Sequence, residues 1–251
     1  MKVALFIPCY IDQFYPKVGI ATLQVLEKLG CDVTFPLQQT CCGQPMANSG
    51  FASLSKGCDI NFVENFTGFD YIVAPSGSCV LHVKEHLQDD KHPQEALHIR
   101  NTIYEFTEFL TNILKVESIS ASFPYKVGMH NSCHGQRGLN LSSMTERMLP
   151  EFSKPEQLLN MVKGITLSKP KRNDECCGFG GTFCVFEEAV SVKMGKDRIK
   201  EHEDNEVDYI TGGDTSCLMH LEGILKRQGS KTKTIHIAEI LNGFCELVKS
   251  E

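Results

Sequence analysis

Two pairs of adjacent cysteines constrain this chain more than any other feature: Cys41-Cys42-Gly43, and Cys176-Cys177-Gly178-Phe179-Gly180-Gly181. Neighbouring residues cannot easily send both sulfurs to one tetrahedral ion, because structural zinc sites space paired ligands two to four residues apart. A cluster of several irons presents separate metal corners, so adjacent thiolates can each take one. Glycine beside the pair lets the backbone approach without steric cost.

The rest of the chain repeats around these pairs. Val3 to Pro8 is a short apolar run that predicts a buried strand ending at Cys9, and Val18, Ala21, Val25, Leu26 and Leu29 recur at helical spacing up to Gly30. Cys31 to Pro36 predicts a second strand leading to Cys41, a helix is expected between Phe51 and Phe66, and Asp70 to Ala74 predicts a third strand before Cys79. The order then recurs. Lys126-Val127 precede Cys133 as Lys2-Val3 precede Cys9, Ile165 to Leu167 lead to Cys176, and Asp208 precedes Cys217 by the distance separating Asp70 from Cys79. The exits also match, with Ile103 before Glu108-Phe109-Leu110 and Ile235 before Glu239-Ile240-Leu241. An internal duplication is the simplest account. The fold expected is α/β, two tandem Rossmann-like repeats over residues 1–122 and 123–251, each a small parallel sheet flanked by helices. Functional loops of such sheets gather at the carboxyl ends of the strands. Cys9, Cys41, Cys42 and Cys79 should therefore converge in one half, and Cys133, Cys176, Cys177 and Cys217 in the other.

Composition narrows the function. The chain has 251 residues, 41% hydrophobic, enough for two cores, and its net charge of -6 without a long basic run argues against nucleic-acid binding. No apolar run reaches the ~18 residues a membrane span requires. The expectation is a soluble, cytoplasmic protein whose 12 cysteines stay reduced and serve metal or redox chemistry. Four thiolates per half match the count for a [4Fe–4S] cluster, and a structural zinc is the alternative, more so at the amino-terminal site. Cys31, Cys58, Cys184 and Cys245 have no counterparts between the halves and read as structural. His82 and His220 each follow a ligand cysteine by three residues, which suits packing or support of the ligands better than ligation. Neither a dinucleotide nor a triphosphate fingerprint is present, so the chain is better equipped to carry electrons than to take a hydride.

With the cysteine frame in place, the sequence resembles the cysteine-rich CCG-domain proteins, which include the CCG-bearing component of heterodisulfide reductase and the iron–sulfur component of glycolate oxidase. It is similar in particular to the lactate utilization protein A group, through Ala74 to Cys79, Cys176 to Phe183 and Asp214 to His220. In the wider family each motif ends in Cys-x-x-Cys. Here Ser76 and Asp214 stand where the first cysteine of that pair would be. That departure from the family pattern suits four-thiolate clusters better than the non-cubane cluster of the heterodisulfide reductase component. The resemblance implies a part in oxidising L-lactate to pyruvate beside a ferredoxin-like iron–sulfur subunit and a third small subunit. A thiol–disulfide reductase and a zinc-stabilised scaffold are the competing readings. Arg137 and Arg172, near the second motif, are candidates to pair with a substrate carboxylate. Of the two sites, the second is expected to carry the working cluster. Gly178, Gly180 and Gly181 leave it open, and His130, His134, Arg137 and His220 can donate to sulfur, whereas Gln44-Pro45 stiffens the first.

Overall fold

The computed structural model describes residues 1–148 and 150–243. Its first half runs β1 (Lys2–Leu5), α1 (Cys9–Phe14), α2 (Pro16–Lys28), β2 (Asp32–Thr34), α3 (Gln44–Asn48), α4 (Lys56–Phe66), β3 (Tyr71–Ala74), α5 (Gly77–His86), α6 (Pro93–Thr102), β4 (Ile103–Glu105) and α7 (Phe106–Glu108). The second runs β5 (Lys126–Met129), α8 (Lys154–Leu159), β6 (Thr166–Ser168), α9 (Phe183–Phe186), α10 (Glu188–Glu203), β7 (Tyr209–Gly212), α11 (Thr215–Gln228), β8 (Lys233–His236) and α12 (Ile237–Leu241). Among the described residues the strands form two parallel sheets, ordered β2-β1-β3-β4 and β6-β5-β7-β8. The duplication extends to single hydrogen bonds. Asp70 accepts from the Lys2 backbone N–H at 2.8 Å, and Asp208 from that of Lys126 at 2.8 Å, which is why those pairs keep their offsets in both copies.

The expected strands are present but shorter. After Leu5, Phe6 still donates to the Val73 carbonyl (2.9 Å), but the Ile7 N–H goes to the Gln39 side chain (2.7 Å). Gln39 also donates to the Leu5 carbonyl (3.1 Å), so its amide ends the ladder in place of another strand. Each sheet gains a fourth strand, β4 and β8, at the positions read from sequence as matched exits. These segments are too short and too polar to announce themselves by periodicity. Their carboxyl ends become helix caps: Glu105 accepts from the Thr107 and Glu108 N–H groups, and His236 forms a capping box with Glu239.

Between the halves lies one apolar core. Val3, Leu5, Val25, Leu26, Phe106 and Phe109 of the first half cluster with Val127, Met129, Leu158, Ile237 and Ile240 of the second. The interface is reciprocal: α2 packs on α12, while α7 packs on α8, their counterparts with the halves exchanged. Lys28 and Gln24 of α2 also bond Asn242 at 2.8 and 2.7 Å. No helix among the described residues is long and apolar enough to cross a membrane.

Two outcomes are expected. Because the core is shared, denaturant should unfold both halves in one transition, and residues 1–122 expressed alone should give no cooperative transition by circular dichroism. Buried Glu105 has its carboxyl pushed up from 4.5 to about 8, first by burial and last by the Asp214 charge. The folded state therefore holds this proton more tightly than the unfolded chain, and that stabilisation is lost as pH rises from about 4.5 to about 8. Glu105→Gln should remove this loss, roughly 3–5 kcal/mol of pH dependence in urea midpoints.

Candidate functional site

In each sheet the strand order reverses direction at the first strand, so the switch point lies between β1 and β3, and between β5 and β7. Cys9 starts α1 directly after β1, Cys79 sits in the first turn of α5 after β3, and Cys41-Cys42 occupy the loop after β2. Cys133, Cys217 and Cys176-Cys177 take the same places around β5, β7 and β6.

The sulfurs converge in series. Cys9 and Cys41 Sγ are 3.6 Å apart, and the Cys42 thiol is within hydrogen-bonding reach of Cys41 and Cys79. In the second half Cys176 is in reach of Cys133 and Cys177, and Cys177 of Cys217. The described cysteines are free thiols. One sulfur in each set is prepared as a thiolate. Hydrogen bonds from Cys42 and then Cys9 push Cys41 down to about 2, and those from Cys133 and then Cys177 push Cys176 down to about 2. The donors move the other way: Cys9 and Cys133 are raised first by those bonds and then by burial. Each quartet thus shares protons that metal must displace, so affinity for metal rises with pH. This donor set, four convergent reduced sulfurs on the loops and helix starts that follow the strands, fits a four-thiolate metal centre.

Glycine shapes the second pair. Gly178 has φ +91°, and a Cβ there would fall 2.5 Å from the Ser191 carbonyl oxygen, so neither the backbone nor the space admits another residue. That turn aims the Gly178 N–H at Cys176 Sγ and the Phe179 N–H at Cys177 Sγ, both at 3.4 Å. The first pair is followed by Gly43 at φ +87°, which opens α3.

A cavity of about 180 Å³ holds the first quartet and one of about 260 Å³ the second. They share a wall of Gln44, Asn48, Ser78, Phe179, Gly181 and Ser216, so the two sites sit side by side across residues from both halves.

Ser76 and Asp214 join the two halves. Asp214 Oδ1 accepts from Ser76 Oγ (2.9 Å), the Ser78 N–H (3.0 Å) and Ser78 Oγ (3.0 Å), tying the halves together beside the quartets. Ser76 Oγ also caps α5 by accepting from the Cys79 N–H at 3.4 Å. His82 and His220 stand in the second turn of their helices. His220 Nε2 is engaged by Ser191 (3.3 Å to its carbonyl), and His82 faces a separate cavity with His86. His134 Nδ1 lies 3.6 Å from Cys133 Sγ. The two arginines do not face the quartets: Arg137 pairs with Glu146 (3.3 Å), and Arg172 with Glu201 (2.5 Å) and Glu175 (2.7 Å). Neither arginine lines the cavity of either quartet. Cys31 packs at the shared core, Cys58 is half-buried beside Gly43, and Cys184 donates to the Gly181 carbonyl (3.1 Å). Cys245 lies outside the described residues.

Sequence reasoning missed Arg198, which is fully buried behind the second quartet. A signal existed: Ser191, Gly195, Arg198 and His202 fall on one buried stripe of α10 at helical spacing, small and polar where apolar residues would be expected.

Known proteins resemble the chain in sequence and in fold. The family model described as the CCG cysteine-rich domain matches twice, over residues 3–84 and 127–222. Lactate utilization protein A of Geobacillus thermodenitrificans is 42% identical over 96% of this chain and 99% of its own length. The protein of that name from Halalkalibacterium halodurans is 41% identical over 96% and 97%. Among solved structures, a hypothetical protein from Helicobacter pylori superposes with a TM-score of 0.58 at 14% identity. It shares the fold over 96% of this chain, which spans 48% of that longer one.

Gly178→Ala should collapse the second site and spare the first. Metal taken up by the reduced protein, measured by elemental analysis, should fall to about half while the fold is retained; full loading would show that the glycine turn is dispensable.

Proposed function

The chain belongs to the cysteine-rich CCG-domain family, within the lactate utilization protein A group, and from that premise we propose that it is the iron–sulfur electron-transfer subunit of a cytoplasmic complex oxidising L-lactate to pyruvate. Its partners on this reading are a ferredoxin-like iron–sulfur subunit and a third small subunit. The observation that carries the proposal is the pair of sulfur quartets set side by side across one shared wall.

Cys9, Cys41, Cys42 and Cys79 would hold one [4Fe–4S] cluster, and Cys133, Cys176, Cys177 and Cys217 a second. Bound there, such a cluster supplies a one-electron couple whose potential the protein tunes through charge, hydrogen bonds to sulfur and exposure. The chain's own residues do the rest. Strand ends fix the sulfurs, the Gly178 and Phe179 N–H groups direct positive dipoles at Cys176 and Cys177, and Phe179 lines both cavities. The second site is the working one on this reading, the first the more structural.

Protein purified without oxygen should be brown, with roughly four to eight irons per chain. A colourless protein carrying zinc alone would overturn the reading. Cys177→Ser should abolish lactate-dependent electron transfer in the reconstituted complex while the chain stays folded, whereas Cys42→Ser should chiefly lower stability or yield. Normal activity in the Cys177 variant would reverse the assignment of the working site.

A further inference from the structure

His130, the residue after β5, is 1% exposed, and one of its ring nitrogens lies within 4.8 Å of the sulfurs of Cys177 and Cys217. Proximity alone offers the imidazole as another metal ligand. Arg198 excludes that role. Its Nε donates to His130 Nδ1 at 3.2 Å, and a guanidinium carries donors and no acceptor, so Nδ1 must present its lone pair. The proton of the neutral ring is then on Nε2, and a protonated nitrogen cannot bind metal.

That Nε2 has no hydrogen-bond partner among the described residues. Arg198 is itself fixed, donating to the Arg172 carbonyl (2.6 Å) and to Glu201 (3.3 Å), so the ring cannot turn without breaking a buried network. A buried N–H beside these cysteines finds in sulfur the acceptor it lacks.

Phe6 occupies the corresponding position in the first half, three residues before Cys9. It is fully buried in one cluster with Cys42 and Cys79, edge-on to Phe62 (4.8 Å) and Phe66 (5.6 Å). The backing of the first quartet at this position is a hydrocarbon with nothing to donate.

We propose that His130, held in one tautomer by Arg198, directs its Nε2–H at the Cys177 and Cys217 sulfurs and makes the second site the higher in reduction potential of the two. The tautomer is a property of the chain alone; the ordering of potentials rests on the iron–sulfur reading. His130 is a positioning residue, acting on the cluster through its cysteines.

The tautomer is read first, by ¹⁵N NMR of the full-length, metal-free protein labelled at histidine. A proton on Nε2 is expected for His130, and a proton on Nδ1 overturns the proposal without reference to any metal. The second readout is a redox titration of the anaerobically reconstituted protein followed by electron paramagnetic resonance. His130→Phe copies the first half and should shift one site to lower potential, leaving the other unmoved; His130→Gln, which keeps an N–H, should restore most of the shift. Unmoved potentials in a fully loaded His130→Phe protein overturn the proposal. A protein that takes only zinc removes the iron–sulfur reading and the ordering with it, while the tautomer still stands or falls on the first spectrum.

Discussion

The structure depends on a carboxylate at the joint between its two copies. Asp214 is 1% exposed, and its Oδ1 gathers three donors from Ser76 and Ser78 of the opposite half. A buried carboxylate without such donors would cost several kcal/mol, so removing them would leave the charge stranded. The joint therefore has one register. Ser76 and Asp214 are equivalent residues of the two copies and bridge each other directly, which places the approximate twofold axis between them. Apolar packing of α2 on α12 and of α7 on α8 supplies a non-directional attraction between the halves. The polar joint is what aligns the functional edges.

From the same skeleton the two sites diverge in their surroundings. The sulfurs, the strand ends and the thiolate-forming cysteine are matched, Cys41 with Cys176, but Phe6 with its aromatic neighbours backs one quartet and His130 with Arg198 backs the other. Burial and then the Arg198 charge push His130 down to about 3, so this backing is polar without adding charge to the ring. Duplication fixed the geometry, and substitutions one layer out made the copies unequal.

Much of this was legible in the sequence because it is written in short-range terms. Glycine at Gly43 and Gly178, the offsets from Asp70 to Cys79 and from Asp208 to Cys217, and the buried strand runs each report a local backbone requirement. What could not be read depends on contacts between the halves. Asp214 read as a lost ligand because its partners lie 136 and 138 residues away in the chain. Arg198 sits in a helix full of charges, and only the small and polar stripe it shares with Ser191, Gly195 and His202 distinguishes it from a solvated residue. Arg137 and Arg172 were overvalued for the opposite reason: nearness to a motif in sequence says nothing about which carboxylate lies nearest in space.

The joint also bears on ligand number. Ser76 and Asp214 stand where the resemblance to the wider family leads to the expectation of a further cysteine. Here Ser76 Oγ donates to Asp214 Oδ1 and in addition caps α5, the helix that presents Cys79. Turning Ser76 toward a metal would uncap that helix, while turning Asp214 would strand the Ser78 hydroxyl and N–H. Ser76 Oγ is committed to the joint and the cap, whereas Asp214 joins the halves through Oδ1 and keeps Oδ2 without a hydrogen-bond partner among the described residues. Through Ser76 and Asp214 Oδ1 the joint holds the edge of each half that carries a quartet against the other half.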